Sequence, residues 1–102
     1  MEKQYKIKSI RHSGTYGPRG FERTDGRYPM RVGRIVKLDI DKLRIRDVLV
    51  LDYVKDEHGN DYSGMCLRCS IIRAIHKASS NLICVETNNS IYELESEERE
   101  CL

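Results

Sequence analysis

The feature that most constrains the fold is a repeated pattern in which apolar and polar side chains alternate in short runs, separated by clusters of Gly, Asn, Asp and Ser. Alternation at every second position is typical of β-strands that bury one face. No segment shows a convincing amphipathic helical period, except the charged stretch 95–102. Because strands joined by hairpin turns pair antiparallel, the pattern predicts an all-β barrel or sandwich.

The alternating runs predict six strands. The second is interrupted by Arg34, and Pro29 before it suits the first residue of a strand, where no N–H is needed. The third has apolar residues on both faces, which predicts a central strand. A charged connector over 39–47 is expected to include a turn of helix around 41–43. The six strands are placed at Tyr5–Ile10, 30–40, Val48–Val54, 65–75, Leu82–Thr87 and Ile91–Leu94.

A chain of 102 residues has room for one domain. We predict a single all-β domain over 1–94, a small antiparallel barrel of about six strands that is SH3-like or OB-like in size. Residues 95–102 form an acidic tail, which we expect to be a short helix or disordered. The predicted core consists of Ile7, Val32, Val36, Leu38, Leu49, Leu51, Leu67, Cys69, Ile71, Ile83, Val85, Tyr92 and Leu94.

A long turn-rich stretch over 11–27 contains four glycines and one proline and has no hydrophobic period. Loops of this length inside a small domain are usually functional or mobile. The charge of the chain is concentrated around it. Residues 1–46 carry 13 Lys/Arg and 5 Asp/Glu, a charge of +8, whereas residues 47–102 carry 5 and 11, a charge of −6. The overall charge of +2 therefore hides a basic half and an acidic half.

The basic stretch is the leading candidate for a functional surface, since aromatic residues are interleaved with its arginines. Arg and Tyr are favoured at protein interfaces, so a protein partner is the first hypothesis. Arginines also neutralise phosphates and aromatic rings stack on unpaired bases, so single-stranded nucleic acid or RNA is the alternative. An acidic tail folded back over the basic face would screen it. The candidate binding residues are Arg11, Tyr16, Arg19, Phe21, Arg23, Arg27, Arg31 and Arg34.

The chain has four cysteines, and Cys66 and Cys69 form a C-x-x-C motif. Such a motif can belong to a zinc site or a redox pair. Here it lies inside a predicted strand, where residues three apart point to opposite faces. We therefore expect plain, reduced cysteines, and no cofactor, no metal and no enzymatic activity; a cysteine- or metal-dependent activity at this motif is the weaker alternative. His58 lies among acidic residues in a turn that lacks the spacing of a calcium loop, so we expect a solvated hairpin.

Two segments carry a resemblance to a known group of proteins: Tyr28–Ile35, and Val85–Leu94, which contains Asn89-Ser90-Ile91-Tyr92. They resemble small uncharacterised proteins of Firmicutes and their phages that close on a Thr-x-Asn-Ser-x-Tyr pattern. The resemblance implies a small β-barrel in a bacterial or phage setting and transfers no catalytic residue.

The chain shows no apolar run near the roughly 18 residues of a membrane span and no signal-peptide core at its start. We therefore expect a cytoplasmic protein with no membrane association. The oligomeric state is open, although an exposed strand edge would permit a homodimer.

Overall fold

The alternating segments form the six strands of a closed antiparallel barrel in the computed structural model, which describes residues 2–96. Each strand pairs with its neighbours along the chain, and the last closes on the first. The fold class is therefore confirmed. The elements are β1 (Lys3–His12), α1 (Tyr28–Arg31), β2 (Ile35–Leu38), a 3₁₀ helix (Ile40–Lys42), β3 (Val48–Lys55), β4 (Cys66–Lys77), β5 (Leu82–Thr87) and β6 (Ser90–Ser96).

The inward faces of the strands fill the barrel with side chains and form one core. Leu67 and Cys69 were predicted there and are only half-buried, packed against its edge. The sequence pattern missed Tyr5, Ile10, Tyr53 and Ile72, which are all buried. The predicted core residues that the barrel buries are Ile7, Val36, Leu38, Leu49, Leu51, Ile83, Val85, Tyr92 and Leu94.

The predicted second strand is wrong in its first part. Residues 28–31 form α1, because Pro29 suits the first turn of a helix as well as the start of a strand. Gly33 then adopts a φ of +96°, a conformation that breaks a strand. Val32, a predicted core residue, is consequently exposed, and β2 begins only at Ile35.

The predicted burial of Ile71 is also wrong. The pairing of β4 shifts register between Ile72 and Ala74, and the pairing of β3 shifts between Val48 and Val50. Such a β-bulge reverses which residues point inward, so Ile72 is buried while Ile71 is exposed. The apolar outer face of β3 is not covered either, since Val48 and Val50 are exposed on the outside of the barrel.

The expected turn of helix in the connector is confirmed by the 3₁₀ helix. At the other end of the chain, β6 continues through Ser96, so Glu95 and Ser96 belong to the barrel rather than to a tail. The remainder of the predicted tail, 97–102, lies outside the described residues, and with it the hypothesis that the tail screens the basic face.

Candidate binding surface on the long loop

The long loop is shorter than the sequence indicates, because Arg11 and His12 belong to β1. Residues 20–23 run antiparallel to the end of this strand: the His12 N–H donates to the Phe21 carbonyl (2.8 Å), and the Arg23 N–H donates to the Ile10 carbonyl (2.9 Å). This stretch covers the edge of β1 in the part of the strand that lies beyond its pairing with β2. Backbone hydrogen bonds therefore hold the loop of 13–27 against the barrel.

The tip of the loop reaches across to the turn between β5 and β6. The hydroxyl groups of Ser13 and Thr15 both donate to the Asn88 carbonyl, the first at 2.6 Å. At Gly17, an added Cβ would lie 2.9 Å from ring carbons of His12, so the loop backbone packs directly on that ring. The loop therefore has contacts to the barrel along most of its length.

The basic and acidic halves of the chain meet on this surface. Arg11 donates through Nε to Glu93 Oε1 (3.0 Å), and Arg19 forms a two-pronged ion pair with Glu86. The hydrogen bond from Arg19 lowers the pKa of Glu86 below its usual value. A hydrogen bond from Ser9, followed by that from Arg11, lowers the pKa of Glu93. Two of the six candidate arginines are therefore neutralised by carboxylates of β5 and β6.

Arg23 is buried and serves the fold. Its guanidinium donates twice to Asp25 (3.1 and 2.6 Å) and once to Ser90 Oγ (2.9 Å). It also lies 3.8 Å from the centre of the Tyr28 ring, within the range of a cation–π contact. The Arg23 hydrogen bonds lower the pKa of Asp25. This residue links the loop, α1 and the start of β6.

Arg34, immediately before β2, is also buried and paired with a carboxylate. Its Nε donates to Glu57 Oε2 (2.8 Å), and its guanidinium lies about equally far from the rings of Tyr53 and Tyr62, at 5.0 and 5.1 Å. The hydrogen bond from Arg34 lowers the pKa of Glu57. Arg34 thus joins β2 to the turn between β3 and β4 and is not available to a partner.

Arg19 is exposed but paired with Glu86, and four further predicted binding residues are accessible without an ion pair among residues 2–96. Tyr16 and Phe21 are 68% and 65% exposed, Arg27 is exposed, and Arg31 is half-buried with its guanidinium 4.7 Å from the Tyr28 ring centre. Sequence reasoning assigned Met30 and Val32 to an inward strand face, but they are 50% and 38% exposed. The accessible part of this surface therefore combines four large apolar or aromatic side chains with arginines.

A cavity of about 290 Å³ opens beside α1, and sequence reasoning did not find it. It brings Arg31 together with Arg68 of β4, two arginines that are far apart in the sequence. Only the closure of the barrel places them side by side, so no local motif signals the site. Its lining is formed by Tyr28, Arg31, Leu67, Arg68, Cys69, Ser70, Thr87, Asn89, Ser90 and Tyr92.

The C-x-x-C cysteines diverge as their strand position predicts. Cys66 is exposed, whereas Cys69 packs against the core, and burial raises the pKa of the Cys69 thiol to about 11. Both are free thiols, as is Cys84. Across residues 2–96 no cluster of three or more His, Cys, Asp or Glu side chains is able to hold a metal ion. His58 is exposed in a turn in which its own N–H and that of Asn60 donate to Asp56, the hairpin expected from the sequence.

Within the described part of the chain, no helix has the length and apolar character needed to cross a membrane. Comparisons with models of known protein families, with curated proteins and with solved structures found no match to this chain. The resemblance of the closing motif to proteins of Firmicutes and their phages, and the likeness to SH3-like or OB-like barrels, stay predictions.

Proposed function

We propose that the protein is a non-enzymatic binding or regulatory module that holds a protein partner on the apolar surface formed by Tyr16, Phe21, Met30 and Val32. The observation that carries the proposal is the exposure of these four large side chains along residues 16–32, where the loop that is hydrogen-bonded to the barrel leads into α1. Aromatic residues and Met are enriched at protein interfaces. A segment already fixed by hydrogen bonds loses little conformational freedom on binding, which favours affinity.

The charges of the loop support a protein over a nucleic acid. Arg11, Arg19, Arg23 and Arg34 each contact a carboxylate, so a phosphate backbone would have to compete with these ion pairs. Nucleic-acid affinity depends on cations that are free to replace bound counterions. The ion pairs leave fewer such cations than the sequence indicates.

Single-stranded nucleic acid or RNA is the second candidate. Arg27 and Arg31 have no carboxylate partner among residues 2–96, and Tyr16 and Phe21 are exposed earlier in the same stretch of chain, as stacking residues would be. Fluorescence anisotropy with a labelled single-stranded oligonucleotide at rising salt separates the candidates. The protein-partner proposal expects no saturable binding at low salt, and tight binding that weakens steeply with salt would replace it with the nucleic-acid function.

The setting of the proposed module is the cytoplasm of a bacterium or of a phage-infected cell. This part rests on the resemblance of the closing motif and on the expectation of reduced cysteines.

The proposal is tested by affinity capture with two double variants. Tyr16→Ser/Phe21→Ser removes the exposed aromatic rings, and the matched control Ile45→Ser/Val48→Ser removes exposed apolar side chains from the β3 side of the barrel. We expect a protein that is enriched with the wild type to be lost with the first variant and retained with the second. Equal enrichment with all three proteins would reject the loop as the binding surface.

A further inference from the structure

The cavity beside α1 exists because two strands of the barrel end at different levels. β5 ends at Thr87, which pairs with Ile72, while the first half of β4 continues beyond that point and pairs only with β3. The space is closed instead by α1 and by the turn between β5 and β6. One wall of the cavity is therefore the edge of β4 at 67–70, which has no strand partner on the β5 side in the part of the chain that the structure describes.

The charge of the cavity is positive and uncompensated. Arg31 and Arg68 both line it, and no carboxylate of residues 2–96 does. Neither arginine forms an ion pair within those residues, in contrast to Arg11, Arg19, Arg23 and Arg34. Two unpaired guanidiniums that share one cavity attract an anion, and the planar guanidinium suits the oxygens of phosphate or carboxylate.

Neutral polar groups also line the cavity. Ser70 Oγ accepts a hydrogen bond from the Asn89 N–H (3.2 Å), and Ser90 Oγ accepts one from Arg23 (2.9 Å). The Ser70 hydroxyl still has a proton to donate, whereas the Ser90 side chain is also hydrogen-bonded to Tyr92. Tyr28, Leu67 and Tyr92 supply apolar surface beside these donors.

We infer that this cavity binds a small phosphate monoester. A phosphate monoester carries a charge of about −1.5 to −2 at pH 7, which matches two guanidiniums better than the single charge of a carboxylate does. The Ser70 hydroxyl supplies an additional donor to the phosphoryl oxygens, and the aromatic and aliphatic walls accept the organic part of the ester. The site is separate from the exposed aromatic residues of the protein-binding surface, so either proposal can fail without the other.

Isothermal titration calorimetry of the full chain at pH 7 measures the binding of three probes. Phenyl phosphate carries both the dianion and an apolar ring, benzoate replaces the dianion with a single charge, and inorganic phosphate lacks the ring. We expect saturable binding of phenyl phosphate, weaker binding of inorganic phosphate and the weakest binding of benzoate. Absence of saturation by about 10 mM phenyl phosphate, or tighter binding of benzoate, would overturn the inference.

Variants then assign the binding to the cavity. Arg31→Gln and Arg68→Gln are each expected to weaken phenyl phosphate binding about tenfold or more, because each removes a charge-assisted hydrogen bond. The matched control Arg27→Gln removes an exposed arginine that does not line the cavity and is expected to leave the affinity unchanged. Arg68 is exposed on a strand, so its variant remains informative if Arg31→Gln fails to fold. Equal losses in all three variants would overturn the assignment, since they indicate nonspecific attraction to positive charge.

Discussion

Arg23 and Arg34 show how the role of a residue depends on its partners rather than on its type. The sequence predicts that both belong to a basic surface. Each is instead buried, with its guanidinium against a carboxylate and the faces of tyrosine rings. A buried charge is tolerated only when it is paired and hydrogen-bonded, and these two are. They therefore stabilise the barrel and are removed from the binding surface.

The first prediction concerns Arg23. We expect Arg23→Gln to lower the free energy of unfolding by about 2 kcal/mol or more. The substitution leaves the Asp25 carboxylate and the Ser90 hydroxyl without their guanidinium donor. The control Arg27→Gln, at an exposed position, should change it by less than about 0.5 kcal/mol. Urea unfolding followed by circular dichroism measures both. Similar midpoints for the two variants would contradict the structural role of Arg23.

The second prediction concerns Gly17, where the loop crosses the ring of His12. An alanine methyl group would lie 2.9 Å from the ring carbons, and the His12 side chain is only 12% exposed, so it has little room to move away. We expect Gly17→Ala to destabilise the fold by about 1–2 kcal/mol through overpacking. Thr24→Ala, an exposed change in the same loop, is the control. Equal stability of the two variants in urea would show that the loop is not packed on His12.

At the scale of elements, the sequence predicted strands well wherever alternation is unbroken. β5 has the predicted bounds, and β1, β3 and β6 were found with ends differing by a few residues. Prediction failed where an alternative local conformation was equally compatible with the residues. Pro29 is compatible with the start of a helix or of a strand, and the register shifts in β3 and β4 depend on long-range pairing that no local pattern encodes.

The candidate site was predictable only in part for the same reason. Seven of the eight candidate residues lie on the loop, at the end of β1 or in α1, whereas Arg34 packs against the turn between β3 and β4. Whether Arg11 and Arg19 are neutralised depends on carboxylates supplied by distant strands. Glu86 and Glu93 reach Arg19 and Arg11 only because β5 and β6 return next to β1 in the closed barrel. Arg68 joins the cavity through the same closure. The composition shows that arginines are abundant, but the strand topology determines which carboxylates they contact.

The third prediction tests whether the Arg19–Glu86 pair holds the loop against β5. Arg19→Glu places two like charges together and should release the loop tip, so chymotrypsin should cleave faster after Tyr16 or Phe21. The double variant Arg19→Glu/Glu86→Arg restores an opposite-charge pair and should slow cleavage again. Mass spectrometry of the fragments identifies the cleavage sites. The same cleavage rate in the single and double variants would indicate that this pair does not fix the loop.

At the scale of the whole molecule, arginine or hydroxyl donors lower the pKa values of carboxyl groups in the loop, in the turn between β3 and β4 and in β5 and β6, namely Asp25, Glu57, Glu86 and Glu93. A carboxyl group whose pKa falls on folding binds fewer protons in the folded state. It therefore stabilises the fold above its ordinary pKa, and this contribution is lost as the pH falls through the lower, folded value.

The fourth prediction follows from this linkage. We expect the melting temperature to be insensitive to pH between about 5 and 7 and to fall as the pH drops below the ordinary values of 3.8 for Asp and 4.5 for Glu. Arg11→Gln/Arg19→Gln should show a smaller acid-dependent decrease, because Glu86 then loses its arginine donor and Glu93 keeps only its hydrogen bond from Ser9. An unchanged melting temperature at about pH 3, or the same decrease in this variant, would contradict the linkage.

The most direct test of the central claim, that the exposed side chains of the loop hold a protein partner, is site-specific photo-crosslinking in the cells that naturally produce the protein. Phe21 is replaced by a benzoylphenylalanine, with the same replacement of the exposed Val48 as the control on another face of the barrel. If the loop holds a protein partner, we expect a discrete protein adduct from position 21 that position 48 does not form. No adduct at position 21 above the level at position 48 would contradict it.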